Sequence, residues 1–527
     1  MKAKVWLISW LVIVISVLGA VGYVVYKVDP FIHFHAPDLD EYYYTLDNQR
    51  SQNDGLSEFL EFDALITGTS MTDNFKTSEM DALFGCHSAK LTFDGGTFVE
   101  INDFVERVLK RKPDLSIVLR GLDLGCFLDK YDWINVSEKQ RVGYLTGDNA
   151  WNDVEYLLNE DAFFGRALTM MLDKGEEGFE PGITSFDEYS RWQEAYGFGY
   201  NSVYPDGITF RATAEEGLSE EQRAVIEENI TRNVTSIADR YPEVEFYYFY
   251  TPYSLGWWGY LVNCGLLTQW LEAEKQITEL ILPHENIHLF SFNNRRDITA
   301  DLNNYTDPNH YAAWVNSLIL KWIHDGSYQL TADNYEEYLE EERMFLAAVN
   351  YSLLKDQIDY ENDLFAAALV NRELTGAEPL DVLNDDRLGV ELVGASFLVQ
   401  DGRNTGVSCQ GWPVGDGFPG EGPERVLDDG FVGVKFTVSL DEGYRYLCFD
   451  GQKDREEGMP VVLAVDEEGN AASFLEANDI YMDCEKHQYV IDLASAGGTV
   501  TVFLGGTEGT AGGGPDTEYL FSNVVLY

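Results

Sequence analysis

A chain of 527 residues with 45% apolar content can bury more than one core, and 90 acidic against 36 basic residues leave a formal charge of −54. That charge repels nucleic-acid phosphates and offers polyanions no broad basic surface, which excludes nucleic-acid binding as the expected activity. The acidity is spread along the chain beside 14% aromatic residues, as in the solvated skin of folded domains and unlike a disordered polymer.

Val5 to Tyr26 is an uncharged apolar run, long enough to cross a hydrocarbon layer of about 30 Å as a helix. Lys2 and Lys4 precede it and Asp29 follows, so the positive-inside bias predicts a transmembrane anchor over residues 1–27, a cell-membrane location and an extracytoplasmic remainder. A cleaved signal peptide is the alternative, although no A-x-A site follows. Residues 28–61 read as a polar and aromatic approach segment.

A repeated switch of hydrophobic period comes next. Strands are predicted at 62–67, 89–93 and 116–120, with helices at 73–84 and 98–110 between them. After a stretch rich in Asp, Glu, Gly and aromatics, read as an insertion at about 125–215, the pattern resumes. It gives a helix at 220–240, a strand at 244–250, a helix at 266–280, a strand at 287–292 and a last amphipathic helix opening at His310. Strands alternating with helices imply a parallel sheet covered on both faces, here over residues 28–332. Residues 333–387 read as a charged helical extension and linker. From 388 to 527 short alternating strands and glycine-rich turns predict an all-β sandwich.

Serine is a weak nucleophile until a base takes its proton and a third group orients that base. Gly68-Thr69-Ser70-Met71 stands just past the first predicted strand, at the carboxyl end where parallel sheets gather ligands and where helix N–H groups are free. Asp307-Pro308-Asn309-His310 follows the last strand of the same predicted sheet, so His310 is the candidate base over Ser70 and Asp307 the group that holds its tautomer. Taken singly, each motif is also an ordinary helix-capping turn or an accident of an Asp-rich chain.

Together the residues carry a resemblance. Gly68-Thr69-Ser70-Met71, Gly95-Gly96 after the second strand, Arg120-Gly121-Leu122-Asp123 after the third and Asp307-Pro308-Asn309-His310 resemble the successive blocks of SGNH/GDSL hydrolases. They are most similar to the membrane-anchored branch that includes the D-alanine-transferring protein of teichoic acid modification and the alginate O-acetyltransferases. Gln52-Asn53-Asp54-Gly55, the run from Gly68 to Phe75 and Thr251-Pro252-Tyr253-Ser254 also resemble poorly characterised Gram-positive surface proteins. The likeness covers roughly residues 30–350. It implies a flavodoxin-like three-layer α/β/α domain, Ser70 as nucleophile, His310 and Asp307 completing the triad, and an oxyanion hole from the Ser70 and Gly95 or Gly96 N–H groups. Where the family places an Asn whose amide donates to the oxyanion, this chain has Asp123, which as a carboxylate cannot donate; either Asp123 serves another purpose, or Arg120 or an unrecognised donor takes that role.

The remaining features have two readings each. Tyr250, Tyr253, Trp257, Trp258 and Tyr260 either line a sugar-stacking rim or pack internally. His33 and His35 with Asp38 and Asp40, and Asp428, Asp429 and Asp450 in the β part, are metal-compatible but read more simply as irregular or acidic turns, so no metal and no cofactor is expected. Six dispersed cysteines form no C-x-x-C pair and assign no bridge. The expected function is an acyl-serine O-acyltransferase or esterase acting on a cell-envelope glycan or glycopolymer, with a membrane acyl-exporting protein as a conceivable partner. A catalytically silent SGNH-like glycan-binding scaffold is the alternative, and peptidase activity is a third.

Overall fold

The computed structural model describes residues 2–527 apart from 136–142, 144, 146–149, 177, 194–195, 212, 358–363, 412–429, 456–459, 474–481, 483, 496–497 and 508–516. Asp428 and Asp429 therefore lie outside the described residues. The chain divides into two compact units, Met1–Leu354 and Lys355–Tyr527.

The first unit opens with helix α1, Lys2–Val28. Among the described residues it is the one helix long and apolar enough to cross a membrane. It stops at Asp29, which turns the backbone left-handed (φ 48°). The buried Asp29 carboxylate accepts the N–H groups of His33, Phe34 and His35, so one side chain holds the whole exit turn.

The approach segment contains a helix the hydrophobic pattern did not announce, α2 (Gln49–Phe59), capped by the Asn48 side chain. The α/β region then runs β1 (Ala64–Thr67), α3 (Thr77–Phe84), β2 (Ser88–Lys90), α4 (Phe98–Arg111) and β3 (Ile117–Leu122). The inserted stretch holds α5 (Ala150–Leu157), a π-helical coil (Asp161–Ala167) and α6 (Leu168–Asp173). Beyond it come α7 (Glu220–Ile230), β4 (Glu245–Tyr250), α8 (Leu255–Cys264), α9 (Leu267–Ile281), β5 (Ile287–Ser291), α10 (Ala313–His324), β6 (Gln329–Leu330) and α11 (Tyr335–Ala348). The last helix of the α/β pattern thus begins at Ala313, leaving His310 on the loop before it.

The sheet order is β2-β1-β3-β4-β5-β6, parallel except for the short edge pair β5–β6. This is the doubly wound order in which the chain reverses direction between β1 and β3, opening a crevice at their carboxyl ends. Successive residues of β4 show the two covered faces. Tyr247 meets Phe84 of α3, while the Tyr248 hydroxyl donates to the Val234 carbonyl on the other side. The strands are buried along almost their whole length, which is why they read as continuous apolar runs and not as alternation.

The second unit is two antiparallel sheets behind a helix, Leu364–Thr375. One sheet runs Glu391–Val393, Phe431–Ser439, Thr499–Thr507, Val461–Asp466 and Ala471–Ser473; the other runs Ala395–Gln400, Arg403–Gly411, Thr517–Leu526, Tyr446–Lys453 and His487–Asp492. Val434, Phe436 and Val502 from the first and Leu447, Phe449 and Phe521 from the second share one core. A single strand was expected over 390–399; the chain instead changes sheets at Gly394, whose φ of 59° breaks it into two. Asp450 lies within a strand, not a turn, paired with Lys486 at 2.9 Å and hydrogen-bonded by Asn523.

Candidate active site

β1 ends on Thr67 and the chain turns at Gly68, whose φ of 146° suits glycine. A Cβ there would lie 2.8 Å from Thr72 Cγ2, so this turn admits no larger residue without rebuilding. Thr69 caps the 3-10 turn Ser70–Thr72 by accepting the Met71 N–H, and the Thr72 hydroxyl closes back on the Thr69 carbonyl at 2.7 Å. The turn therefore presents Ser70 outward at the carboxyl end of the sheet.

Asp307, Asn309 and His310 form a second compact loop. The Asp307 carboxylate accepts the N–H groups of Asn309 and His310, both at 2.8 Å, and with its other oxygen meets His310 Nδ1 at 2.7 Å. His310 Nε2 lies 2.8 Å from Ser70 Oγ. The three side chains singled out in the sequence are thus in contact in the order hydroxyl, imidazole, carboxylate, although Ser70 and His310 are 240 residues apart.

Several residues seat the two loops against each other. Tyr311 Oη and Asn316 Nδ2 both donate to the Met71 carbonyl, at 3.0 and 3.1 Å. Ser254, in the Thr-Pro-Tyr-Ser segment, donates its hydroxyl to the Pro308 carbonyl at 2.8 Å while accepting N–H groups of the first turn of α8. Tyr305 Oη donates to the Pro252 carbonyl at 2.7 Å. On the far side Gln49 of α2 bonds Asp73, Thr92 and Asp94 at once, and Asn53 donates to the Thr92 carbonyl. The Gln-Asn-Asp-Gly segment is therefore a brace for the loop after β2: Asp54 pairs with Arg107 and Arg111 of α4, and Gly55 allows the Ile32 carbonyl to approach.

Trp192 is a residue that sequence reasoning missed. Its indole donates to the Ser70 carbonyl at 3.1 Å, and its ring stands edge-on to His310 at 5.5 Å. It lies in the insertion, where no periodicity or motif marks it; only the fold carries it over the triad.

Burial by itself depresses the His310 imidazolium. The hydrogen bond and charge of Asp307, with Asp123 and Asp94 behind it, more than offset that and hold its pKa above the usual 6.5. For Asp307 burial works upward but the His310 contacts win, so its carboxyl titrates below the usual range. Asp73 is pushed well above that range by burial and by the neighbouring Asp94 carboxyl.

The other residues picked from the sequence fare differently. Asp123 accepts the Thr69 hydroxyl at 2.8 Å, the Tyr253 hydroxyl, and the Gly125 N–H at 3.1 Å. It is a hydrogen-bond acceptor behind the triad, with its pKa raised by burial against those donors. Tyr253 is buried, stacked edge-on against Trp257, so with Trp258 it belongs to the interior and not to a sugar-stacking rim. Gly95 follows Asp94 with φ 60°. Gly96 gives its N–H to the Phe93 carbonyl at 2.8 Å and has none left for an oxyanion. Arg120 is buried on the opposite side of its strand, donating to the carbonyls of Asn233 and Phe98 beneath the Phe98 and Tyr248 rings, and cannot serve the site. His33 bonds Asp153 and His35 bonds backbone carbonyls. Among the described residues no group of three or more His, Cys, Asp or Glu side chains is arranged to share a metal ion.

Ser70 and His310 open into a cavity of about 720 Å³ whose walls include Gln49, Arg50, Asp94, Asn159, Trp192 and Tyr196. Asp47, Asp94, Asp161 and Asp307 line it beside Asp73, whose raised pKa favours its neutral form, and Arg50, its one arginine among the described residues, is engaged by Glu100 at 2.8 Å. The space is therefore negatively biased. A second cavity of about 710 Å³, walled by Leu271, Lys275, Leu339, Arg343 and Tyr351 among others, shares no lining residue with the first.

No family model matches the sequence, and no curated protein matches it. Among solved structures the chain is similar to a protein of Streptococcus pneumonia described as a candidate platelet activating factor, at 10% identity and TM-score 0.27 over 53% of this chain and 90% of that one. It is also similar to an acetyl xylan esterase from the rumen bacterium Butyrivibrio proteoclasticus, at 10% identity and TM-score 0.23 over 50% of this chain and 62% of that one. A family 11 carbohydrate-binding module from a cellulosomal cellulase of Clostridium thermocellum matches at 10% identity and TM-score 0.17, over 28% of this chain and 92% of the module. At these TM-scores none of the three decides the fold or the chemistry of this chain.

Proposed function

We propose that this protein is an SGNH-type serine esterase or O-acyltransferase working through an acyl-serine intermediate. The observation that carries the reading is the unbroken contact from Ser70 Oγ to His310 Nε2, 2.8 Å, and from His310 Nδ1 to Asp307 Oδ2, 2.7 Å. In this scheme His310 takes the Ser70 proton as the oxygen attacks an ester carbonyl, and Asp307 stabilises the imidazolium that forms. The oxyanion is met by the Ser70 N–H at the start of its 3-10 turn and by the Gly95 N–H. His310 returns the proton to the leaving alcohol, and the acyl group then passes to water or to an acceptor hydroxyl by the reverse sequence.

The pocket's acidic lining favours neutral acyl and acceptor groups, such as an acetyl ester and a glycan hydroxyl, over anionic ones. The β-sheet unit is assigned a glycan-binding role, and the anchored chain a place on the cell envelope, where an acyl-exporting membrane protein would supply the donor. A fluorophosphonate probe tests the core of this: one labelled serine is expected, lost in Ser70→Ala. Folded protein that takes up no probe would favour the second reading, a silent surface scaffold, for which the carboxylate at position 123 is the motivating feature.

A further inference from the structure

The span Ala3–Val28 has 26 residues, whereas about 20 cross a bilayer core. Its last turns, from Gly22 on, therefore stand at interface level, where Tyr23 and Tyr26 are exposed in the manner of an aromatic belt.

At that level α1 is held by the insertion. A Cβ added at Gly22 would sit 3.6 Å from Leu157 Cβ of α5, and Val25 packs with Phe31, Tyr156 and Ala162. Tyr156 Oη donates to the Asp29 carboxylate that ends α1, at 2.8 Å. Lys27 at the end of α1 and Lys174 just past α6 both reach Glu41.

This collar leaves several large apolar side chains exposed. Trp151 is 83% exposed, Phe164 64% and Leu172 66%, with Val154, Leu158 and Met171 also exposed. Positions 151, 154 and 158 fall on one stripe of a helical period. An exposed apolar patch continuous with a bilayer-length apolar helix has one natural occupant.

We propose that residues 151–172 form an interfacial platform, lying in the headgroup–acyl boundary of the same bilayer that α1 enters. Apolar burial drives the insertion: Asp153, Glu155, Glu160 and Asp161 outnumber Arg166 within the segment, so anionic lipid is not required. Asn159 and Asp161 of this platform, with Phe31 beside α1, line the cavity that holds Ser70. Resting on the reading of Ser70 as nucleophile, the pocket opens at the membrane surface and takes an acyl ester borne by a membrane-embedded molecule in preference to one free in solution.

The test uses the full chain in phosphatidylcholine nanodiscs, with the photocrosslinker p-benzoylphenylalanine placed in turn at Trp151, Leu158 and Phe164, and at the exposed Tyr260 as control. Adducts to lipid acyl chains at the first three positions and not at 260 are expected. Absence of lipid adducts, or crosslinks to another protein chain instead, overturns the platform. The triple variant Leu158→Asp, Phe164→Asp, Leu172→Asp, shown folded by circular dichroism, is expected to hydrolyse a soluble acetyl ester within twofold of the parent and a lipid-linked acetyl ester at least tenfold more slowly. Equal rates on both esters, or an equal loss on both, overturn the substrate preference. Failure of the nucleophile reading is distinguishable, because neither ester would be cleaved even by the parent while the lipid adducts would remain.

Discussion

On the proposed reading of Ser70 as nucleophile, the chemistry depends on where one proton sits. With its pKa held above the usual imidazole value, His310 becomes a free base only as pH rises through that raised titration, so hydrolysis should increase over the same range. Asp307→Asn removes the carboxylate that raises His310. The expected outcome is an acidic limb displaced to lower pH and a kcat reduced on the order of 10⁴-fold, read from a pH–rate profile. The same pair bears on stability. Its contribution is complete between the ordinary carboxylate range and the usual imidazole value of 6.5; it is lost as pH falls from the first through the lowered Asp307 titration, or rises from the second through the raised His310 titration.

Asp123 helps to raise His310 by its charge, while both of its oxygens accept hydrogen bonds, from Thr69, Tyr253 and Gly125. Asp123→Asn keeps the shape, supplies an amide and removes a charge that raises His310. The acidic limb is expected again at lower pH, with kcat/KM reduced by about tenfold, equivalent to roughly 1.4 kcal/mol, because the amide NH2 faces a donor that the carboxylate accepted. Steady-state kinetics on a short-chain ester measure both effects.

Among the elements, α2 has the least obvious role and a strong structural requirement. Its Gly55 packs so closely on the Ile32 carbonyl that an added Cβ would lie 2.0 Å from that oxygen, and backbone offers no flexible end to move aside. Gly55→Ala should cost about 1–3 kcal/mol through overpacking, seen as a lower denaturant midpoint with an unchanged slope. Because Gln49 and Asn53 on the same helix brace the loop after β2, the lesion is also expected to lower kcat. Activity per folded molecule, measured alongside stability, separates the two effects.

For the molecule as a whole, a formal charge of −54 spread over the surface opposes compaction. Raising salt from about 10 mM to about 150 mM shortens the screening length from about 30 Å to about 8 Å. Melting temperature should therefore rise with ionic strength, followed by circular dichroism, and rise more at pH 8 than at pH 5, where carboxylates begin to protonate. That ordering is opposite to what a fold held chiefly by exposed ion pairs would show.

The chain by itself determined the apolar helix at its start, the alternation of strands and helices from 64 to 324, the change to short antiparallel strands beyond 390, and the choice of Ser70, His310 and Asp307, whose side chains the fold brings into contact. These are local properties: periodicity, turn residues and motif chemistry are written within a few positions of one another. Gln49 and Asn53 as braces, Ser254 as the tie to Pro308, Trp192 over His310 and the change of sheets at Gly394 were decided only by the tertiary structure. So were the engagement of the Arg120 guanidinium and the Gly96 N–H by backbone carbonyls and the burial of Tyr253. A side chain's face and a backbone N–H's acceptor depend on which distant segments pack against them, and that information exists only once the sheet has brought those segments together.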